Sequence, residues 1–122
     1  MTKRILVVED TEDNRQILRD LLNAAGYELI EAVDGEAGVA MAGQHKPDLV
    51  LMDIQLPLID GYEATRRIKA DPSLAHIPIV AVTSYALSGD EDKARAAGCD
   101  AYIAKPYSPR QLLAKVRELL GP

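Results

Sequence analysis

Chemically reactive side chains follow four of the apolar runs in this chain. Carboxylates end two of these runs, at Glu9-Asp10 and at Asp53, while Thr83 ends a third and Lys105 follows a fourth. Carboxylates held about 4 Å apart repel one another by up to about 4 kcal/mol per pair at an effective dielectric of ~20. A bound divalent cation removes most of that cost, and a set of oxygen ligands indicates Mg²⁺.

The lysine and the hydroxyl indicate a second kind of ligand. Lys105 offers a point charge and Thr83 offers a hydrogen-bond donor, so the pair suits an anion better than another metal. A metal, an anion and a central carboxylate together indicate phosphoryl transfer to Asp53. Simpler interpretations also stay open, with Asp53 as a turn residue, Glu9-Asp10 as helix caps and Lys105 as a solvated surface lysine.

The elements that position these residues are predicted from hydrophobic periodicity. Five short apolar runs alternate with five helical stretches, which predicts an α/β fold with one parallel sheet and helices on both faces. The predicted strands are Ile5 to Val8, Glu28 to Val33, Leu49 to Met52, Ile79 to Val82 and Ala101 to Ile103. Ligands of such sheets bind at the carboxyl ends of the strands, so the reactive residues are expected at one edge.

Start and stop signals bound the predicted helices. The helices run from Thr11 to Ala25, from the N-cap Asp34 to near Gly43, from Gly61 to Ala70, from Asp90 to Ala97 and from the N-cap Ser108 to about Leu120. Pro109 in the first helical position and Gln111 as the capping-box partner support the last helix.

Composition and charge argue against several classes of function. The chain has 122 residues, the size of one domain, and a formal net charge of −5. An acidic surface argues against nucleic-acid and anionic-membrane binding, because both need a basic patch. The sequence has neither a membrane-length apolar run nor a signal-peptide pattern, and it has one cysteine, so we expect a cytoplasmic protein.

Four motifs in order resemble those of a known family. They are VVED at residues 7–10, LMDIQLPLIDGYE at 51–63, AVTS at 81–84 and AYIAKPY at 101–107. Together they resemble the receiver domain of bacterial two-component response regulators, and the resemblance covers residues 1–122 as one domain. Within this family, the chain resembles single-domain regulators of the kind that control polar differentiation and cell division in alphaproteobacteria. The resemblance implies a flavodoxin-like (βα)5 fold with strand order 2-1-3-4-5, and a signalling role with no output domain in this chain.

The resemblance implies a role for each matching residue around the acceptor. Asp53 matches the phosphoacceptor and also a metal ligand. Asp10 is expected to bind Mg²⁺ directly, Glu9 is expected to bind it through water, and the backbone carbonyl of Gln55 is expected to supply a further ligand.

The residues on the last two strands are expected to sense the phosphoryl group. Thr83, with Ser84 beside it, matches the hydroxyl that moves toward this group, and Lys105 matches the lysine that holds one of its oxygens. Tyr102 is expected to turn inward, which changes the face formed by the fourth helix, fifth strand and fifth helix for a downstream partner. The peptide bond before Pro106 is expected to be cis.

Partners and signal lifetime also follow from the resemblance. A histidine kinase or histidine phosphotransferase is expected to dock on Asn14, Ile17, Pro106 and Tyr107. Ile17 is either an apolar anchor for that partner or a core residue. Gln55 and Tyr85 flank the approach of a hydrolytic water, and the bulk of Tyr85 predicts slow hydrolysis. We expect a monomer or a weak dimer.

Two other classes of function are kept as alternatives. A haloacid-dehalogenase-type phosphatase would use Asp53 as its nucleophile, but that family needs an aspartate two residues later, where this chain has Gln55. A nucleotide-binding flavodoxin-like module or a degenerate receiver would only bind, but no glycine-rich phosphate loop follows the first strand. We therefore expect a phosphoacceptor rather than an enzyme, with self-catalysed phosphorylation and dephosphorylation as its only chemistry.

Overall fold

The sheet is parallel throughout and has the predicted strand order. The structure, a computed structural model, describes residues 2–83 and 90–121, with the side chain of Asp90 left out. Within this part of the chain the strands are β1 (Arg4–Val8), β2 (Glu28–Ala32), β3 (Leu49–Asp53), β4 (Ile79–Thr83) and β5 (Ala101–Ala104). They pair in the order β2-β1-β3-β4-β5, which confirms the flavodoxin-like topology.

The helices agree with the capping signals of the sequence. They are α1 (Glu12–Ala24), α2 (Gly35–His45), α3 (Gly61–Ala70), α4 (Asp90–Ala97) and α5 (Pro109–Leu120). The Asp34 side chain accepts the Ala37 N–H at the start of α2, and Ser108 forms the predicted capping box with Gln111 at the start of α5. The helix α2 passes the predicted end near Gly43, because Lys46 adopts a left-handed conformation (φ 47°) that ends it instead.

Two apolar cores lie on opposite faces of the sheet. Alternate residues of the central strands face opposite ways, so that Leu6 and Val50 join the core under α2, α3 and α4, whereas Ile5 and Leu49 join the core under α1 and α5. Each fully buried aliphatic side chain of this size contributes about 1.5–3 kcal/mol relative to an exposed one. The strands are therefore rigid supports for the polar residues at their ends.

The loop after β3 is held tightly against the end of that strand. Gly61 begins α3, and a Cβ atom at this position would lie 2.3 Å from the carbonyl oxygen of Asp53. Its N–H donates to the carbonyl of Ile54 at 3.0 Å, and the Asp60 side chain caps α3 by accepting the Glu63 N–H. The Asp60-Gly61 pair thus brings the start of α3 close to Asp53.

Candidate functional site

Three carboxylates meet at the carboxyl edge of the sheet, where β1 and β3 lie side by side. Each of Glu9, Asp10 and Asp53 offers an oxygen, and these oxygens all lie within 4.8 Å of one another. Glu9 is 3% exposed and Asp53 is 6% exposed, whereas Asp10 faces solvent. The all-oxygen donor set and the local excess of negative charge fit a hard divalent cation such as Mg²⁺.

Glu9 is held in place by donors on several sides. One carboxylate oxygen, Oε2, accepts the Thr11 N–H at 3.0 Å. The other, Oε1, accepts from Asn14 Nδ2 at 3.3 Å and from Lys105 Nζ at 3.3 Å. Arg15 Nη1 donates to the Glu9 carbonyl at 2.7 Å, so the backbone of this residue is also fixed. These contacts orient the Glu9 carboxylate toward the edge of the sheet.

The interpretation of Glu9-Asp10 as helix caps is compatible with their role in the acidic cluster. Thr11 is the N-cap of α1, and it makes no side-chain capping bond. Glu9 accepts the N–H of Thr11, one of the backbone donors that the start of a helix leaves unpaired, while Asp10 lies beside Glu9. A helix terminus and a cation site can therefore share this location.

The pKa of Asp10 lies above its ordinary value of 3.8. The main cause is a hydrogen bond with Glu9, followed by desolvation and by the negative charge of Glu9. The neighbouring Glu9 carboxylate therefore disfavours the charged form of Asp10. A bound divalent cation would act in the opposite direction and favour the charged form.

Lys105 places a cation beside the acceptor carboxylate. Its side-chain Nζ lies 3.5 Å from Asp53 Oδ2 and 3.3 Å from Glu9 Oε1. The backbone N–H of Lys105 donates to the Thr83 carbonyl. The bond between Lys105 and Pro106 is the expected cis peptide. One ammonium facing three carboxylates leaves this edge with an excess of negative charge.

Thr83 and Gln55 are joined by a contact that the sequence analysis missed. Thr83 ends β4 and is 1% exposed, and its Oγ1 accepts a hydrogen bond from Gln55 Nε2 at 3.0 Å. The backbone N–H of Gln55 donates to Asp53 Oδ1 at 3.0 Å. Gln55 thus touches both the acceptor carboxylate and the predicted switch hydroxyl. Its position two residues after Asp53 places Gln55 near the site, but the sequence carries no signal for the contact of its side chain with Thr83.

Of the remaining predicted residues, Ser84 and Tyr85 fall outside the described residues. Tyr102 is partly buried and packs against the core on the side of the sheet that carries α2, α3 and α4.

A groove of about 570 Å³ runs from the carboxylates along α1 to the segment after β5. All four predicted docking residues line it, namely Asn14, Ile17, Pro106 and Tyr107. Ile17 is 59% exposed, so its interpretation as a core residue is wrong; Leu18 and Leu22 are the buried residues of α1. The pKa of Tyr107 is raised by burial and, to a smaller extent, by the charges of Glu9 and Asp53.

Within residues 2–83 and 90–121, no helix has both the length and the apolar character needed to cross a membrane. This finding agrees with the absence of a long apolar run in the sequence.

The sequence is similar to a known domain family and to known response regulators. Residues 5–117 match the family model of the response regulator receiver domain. The chain is 46% identical over 121 residues to the polar-differentiation response regulator DivK of Brucella ovis, and the match covers 99% of this chain and 98% of that protein. DivK of Brucella anthropi gives the same identity and coverage.

Two solved structures are also similar to this chain. The receiver domain of the sensor histidine kinase PA1611 from Pseudomonas aeruginosa, solved with a magnesium ion coordinated in its active-site cleft, is 35% identical with a TM-score of 0.92, and both chains are covered in full. The chemotaxis protein CheY4 of Vibrio cholerae is 26% identical with a TM-score of 0.93, over 98% of this chain and 100% of that one. With a family model that matches residues 5–117 and relatives 46% identical over nearly the full length, this chain belongs to the response regulator receiver domain family.

Proposed function

We propose that Asp53 is the phosphoacceptor of this receiver domain, which we take to span residues 1–122. The observation that carries the proposal is the position of Asp53, which is 6% exposed and lies between two further carboxylates and Lys105 at the carboxyl edge. The same cluster supports Mg²⁺ as the cofactor. Asp10 and Asp53 would hold it directly, Glu9 through water and Gln55 through its backbone carbonyl.

The two oxygens of Asp53 have different surroundings, which suits them to different tasks. Oδ1 accepts the Gln55 N–H, so the carboxylate is fixed in orientation, whereas Oδ2 faces Lys105. An incoming phosphoryl group would be attacked by an Asp53 oxygen while the bond to the donor breaks, and Lys105 would pair with a phosphoryl oxygen. When bound, Mg²⁺ would neutralise negative charge on the transferred group.

Phosphorylation would then act on the neighbouring strands through charge. An aspartyl phosphate adds a charge of about −1.5 to −2. The Thr83 hydroxyl would donate to the new group, with Ser84 beside it, and Tyr102 would turn inward. Of the α4 side chains that the structure describes, the buried ones are the small Ala94 and Ala97, so α4 has weak anchors. The face formed by α4, β5 and α5 is therefore the proposed surface for a downstream protein partner.

The groove beside α1 supports the proposed docking of a histidine kinase or histidine phosphotransferase. It opens directly onto Asp53 and presents the exposed side chain of Ile17. We further propose a cytoplasmic monomer or weak dimer whose own chemistry is limited to self-phosphorylation and dephosphorylation. Gln55 and Tyr85 are the residues proposed to set the lifetime of the phosphoryl group.

The test compares the same substitution at two aspartates. Wild type, Asp53→Asn and Asp100→Asn are incubated with Mg²⁺ and acetyl phosphate, and the intact mass is measured before and after base treatment. We expect an acid-stable, base-labile gain in wild type and Asp100→Asn, and none in Asp53→Asn. Undiminished labelling of Asp53→Asn at another residue would contradict the proposal. Turnover of acetyl phosphate without accumulation would instead indicate a phosphatase.

A further inference from the structure

Gln55 is fixed to the acceptor at one end and to the switch hydroxyl at the other. Its backbone N–H donates to Asp53 Oδ1 at 3.0 Å, and its side-chain amide donates to Thr83 Oγ1 at 3.0 Å. The two residues that it joins end the neighbouring strands β3 and β4. We propose that Gln55 is a latch, a positioning residue that holds Thr83 in the unphosphorylated arrangement and so sets how readily the domain switches.

The chemistry of the contact suits a latch. A threonine hydroxyl has one proton to donate and lone pairs to accept with, and the Gln55 amide uses an acceptor position. The Thr83 proton, which a phosphoryl oxygen would need, is not consumed by this bond. Thr83 is 1% exposed, so water competes poorly for the hydroxyl. The contact therefore favours one position of Thr83 without blocking the donor that phosphorylation would use.

The latch would oppose the movement of Thr83 toward Asp53. The base of the Gln55 side chain is anchored by its backbone bond to Asp53, so its amide has a limited reach. A hydroxyl that moves toward a phosphoryl group must leave this amide or strain the contact. This step rests on the proposed function, in which Thr83 is the switch. Loss of one such hydrogen bond is expected to shift the balance between the two arrangements by about two- to tenfold.

The test uses beryllofluoride, a phosphoryl analogue, in the presence of Mg²⁺. Gln55→Met keeps the side-chain length and removes the donor, whereas Gln55→Asn keeps the amide on a side chain one carbon shorter. Half-saturation is measured by NMR titration in both variants and in wild type, and again with Thr83→Val added. We expect both single variants to bind beryllofluoride about two- to tenfold more tightly than wild type. The gain should vanish in the Thr83→Val background, where there is no hydroxyl to hold.

Each other outcome has a distinct meaning. Equal binding by wild type and both Gln55 variants would overturn the latch and leave the proposed function standing. A gain that persists with Thr83→Val would also overturn it, because Gln55 would then act elsewhere. Unchanged beryllofluoride binding with a slower decay of the phosphoprotein would assign Gln55 to the hydrolytic water instead. If wild type neither bound beryllofluoride nor became phosphorylated, the proposed function itself would fail.

Discussion

Lys69 lies beside Asp100 at the amino edge of the sheet, where the strands begin, and Lys105 lies beside Asp53 at the carboxyl edge, where they end. The two lysines differ in their other hydrogen-bond and charge partners. At the amino edge, Lys69 Nζ donates to Asp100 Oδ2 at 2.9 Å and to the carbonyls of Ala75 and Ile77 at 3.1 and 2.8 Å. These three acceptors match the three protons of an ammonium group. At the carboxyl edge, Lys105 lies 3.3 to 3.5 Å from carboxylates that outnumber it.

The two aspartates also differ in their partners: Asp100 has hydrogen-bond donors around it, whereas Asp53 has further carboxylates. Asp100 also accepts the Ile79 N–H at 2.9 Å, so it joins the start of β4 to the end of α3 through Lys69. Asp53 shares its surroundings with two further carboxylates. A lysine near an aspartate is therefore weak evidence for function on its own. What distinguishes the carboxyl edge is a charge imbalance that a cation would correct.

The largest expected effect is that of Mg²⁺ on stability. Binding to the folded state alone adds RT ln(1 + [L]/Kd), or about 2.7 kcal/mol at a hundred times Kd. Asp10→Ala should lose most of this gain, because Asp10 is a proposed direct ligand. The melting temperature of each protein is measured with and without Mg²⁺.

The matched control for this experiment is Asp100→Ala at the amino edge. This variant should be less stable than wild type but should keep its full response to Mg²⁺. An equal rise of the melting temperature in wild type and Asp10→Ala would mean that the carboxyl edge is not the metal site.

The next largest effect concerns the groove that opens onto the carboxyl edge. Ile17→Ala should slow phosphoryl transfer from a histidine kinase about tenfold, since an exposed apolar anchor is worth about 1.4 kcal/mol at an interface. Labelling by acetyl phosphate should be unchanged, because Ile17 is exposed and its side chain does not support the core. The rates with the two donors are compared. Ile17 suits this test better than Asn14, which hydrogen-bonds to Glu9.

Val33 provides a control of similar size and exposure. It is 52% exposed and follows β2, outside the residues that line the groove. Val33→Ala should leave both rates unchanged. Equal slowing by Ile17→Ala with both donors would indicate damage to the acceptor site rather than loss of docking.

A smaller effect on the free energy of unfolding is expected when aspartate is replaced by asparagine at each of the two edges. Asp100→Asn should lower the free energy of unfolding by about 1 kcal/mol, because a charge-assisted contact to Lys69 is lost at a partly exposed site. Asp53→Asn should not lower it in metal-free buffer, because it relieves repulsion from Glu9 and Asp10. Denaturant unfolding in EDTA measures both. A larger loss in Asp53→Asn than in Asp100→Asn would contradict the comparison of the edges.

Much of the fold and the centre of the candidate site could be predicted from the sequence. Apolar runs separated by caps predict where strands and helices lie, and parallel pairing brings the ends of the strands together. The position of Asp53 at the carboxyl edge follows directly, because it ends the apolar run of β3. The predicted strand bounds differ from the observed ones by a residue or two. Pairing with β5 extends β4 to Thr83, whereas β2 stops before Val33, which lies beyond the last β1–β2 pair.

Side-chain contacts across the edges could not be predicted in the same way. Spacing along the chain does not reveal that Gln55 reaches Thr83 or that Asn14 contacts Glu9, because both contacts depend on loop conformation and rotamer. The exposure of Ile17 was ambiguous for a similar reason. Its spacing fits the apolar stripe of α1, and the packing of that helix decides which members of the stripe are buried.

The smallest expected effect is the pH dependence of stability, which should have opposite signs at the two edges. The pKa of Asp10 is raised above 3.8, chiefly by its hydrogen bond with Glu9, so its contribution to stability is complete below that value. The contribution is lost as the pH rises through the raised pKa. At the amino edge, hydrogen bonds from Ser73 lower the pKa of Asp71 below 3.8. Its contribution is present above 3.8 and is lost as the pH falls through the lowered pKa.

Two substitutions separate these contributions in metal-free buffer. Asp10→Asn should flatten the fall in stability that wild type shows as the pH rises from about 4 toward neutrality. Asp71→Asn should be less stable than wild type at neutral pH, with a difference that shrinks below about pH 4. Both effects should be small because both side chains face water. With Mg²⁺ present, stabilisation should grow as the pH rises through the Asp10 pKa, since the metal needs the deprotonated carboxylate. Parallel pH curves for wild type and Asp10→Asn would show that the folded state does not raise the pKa of Asp10.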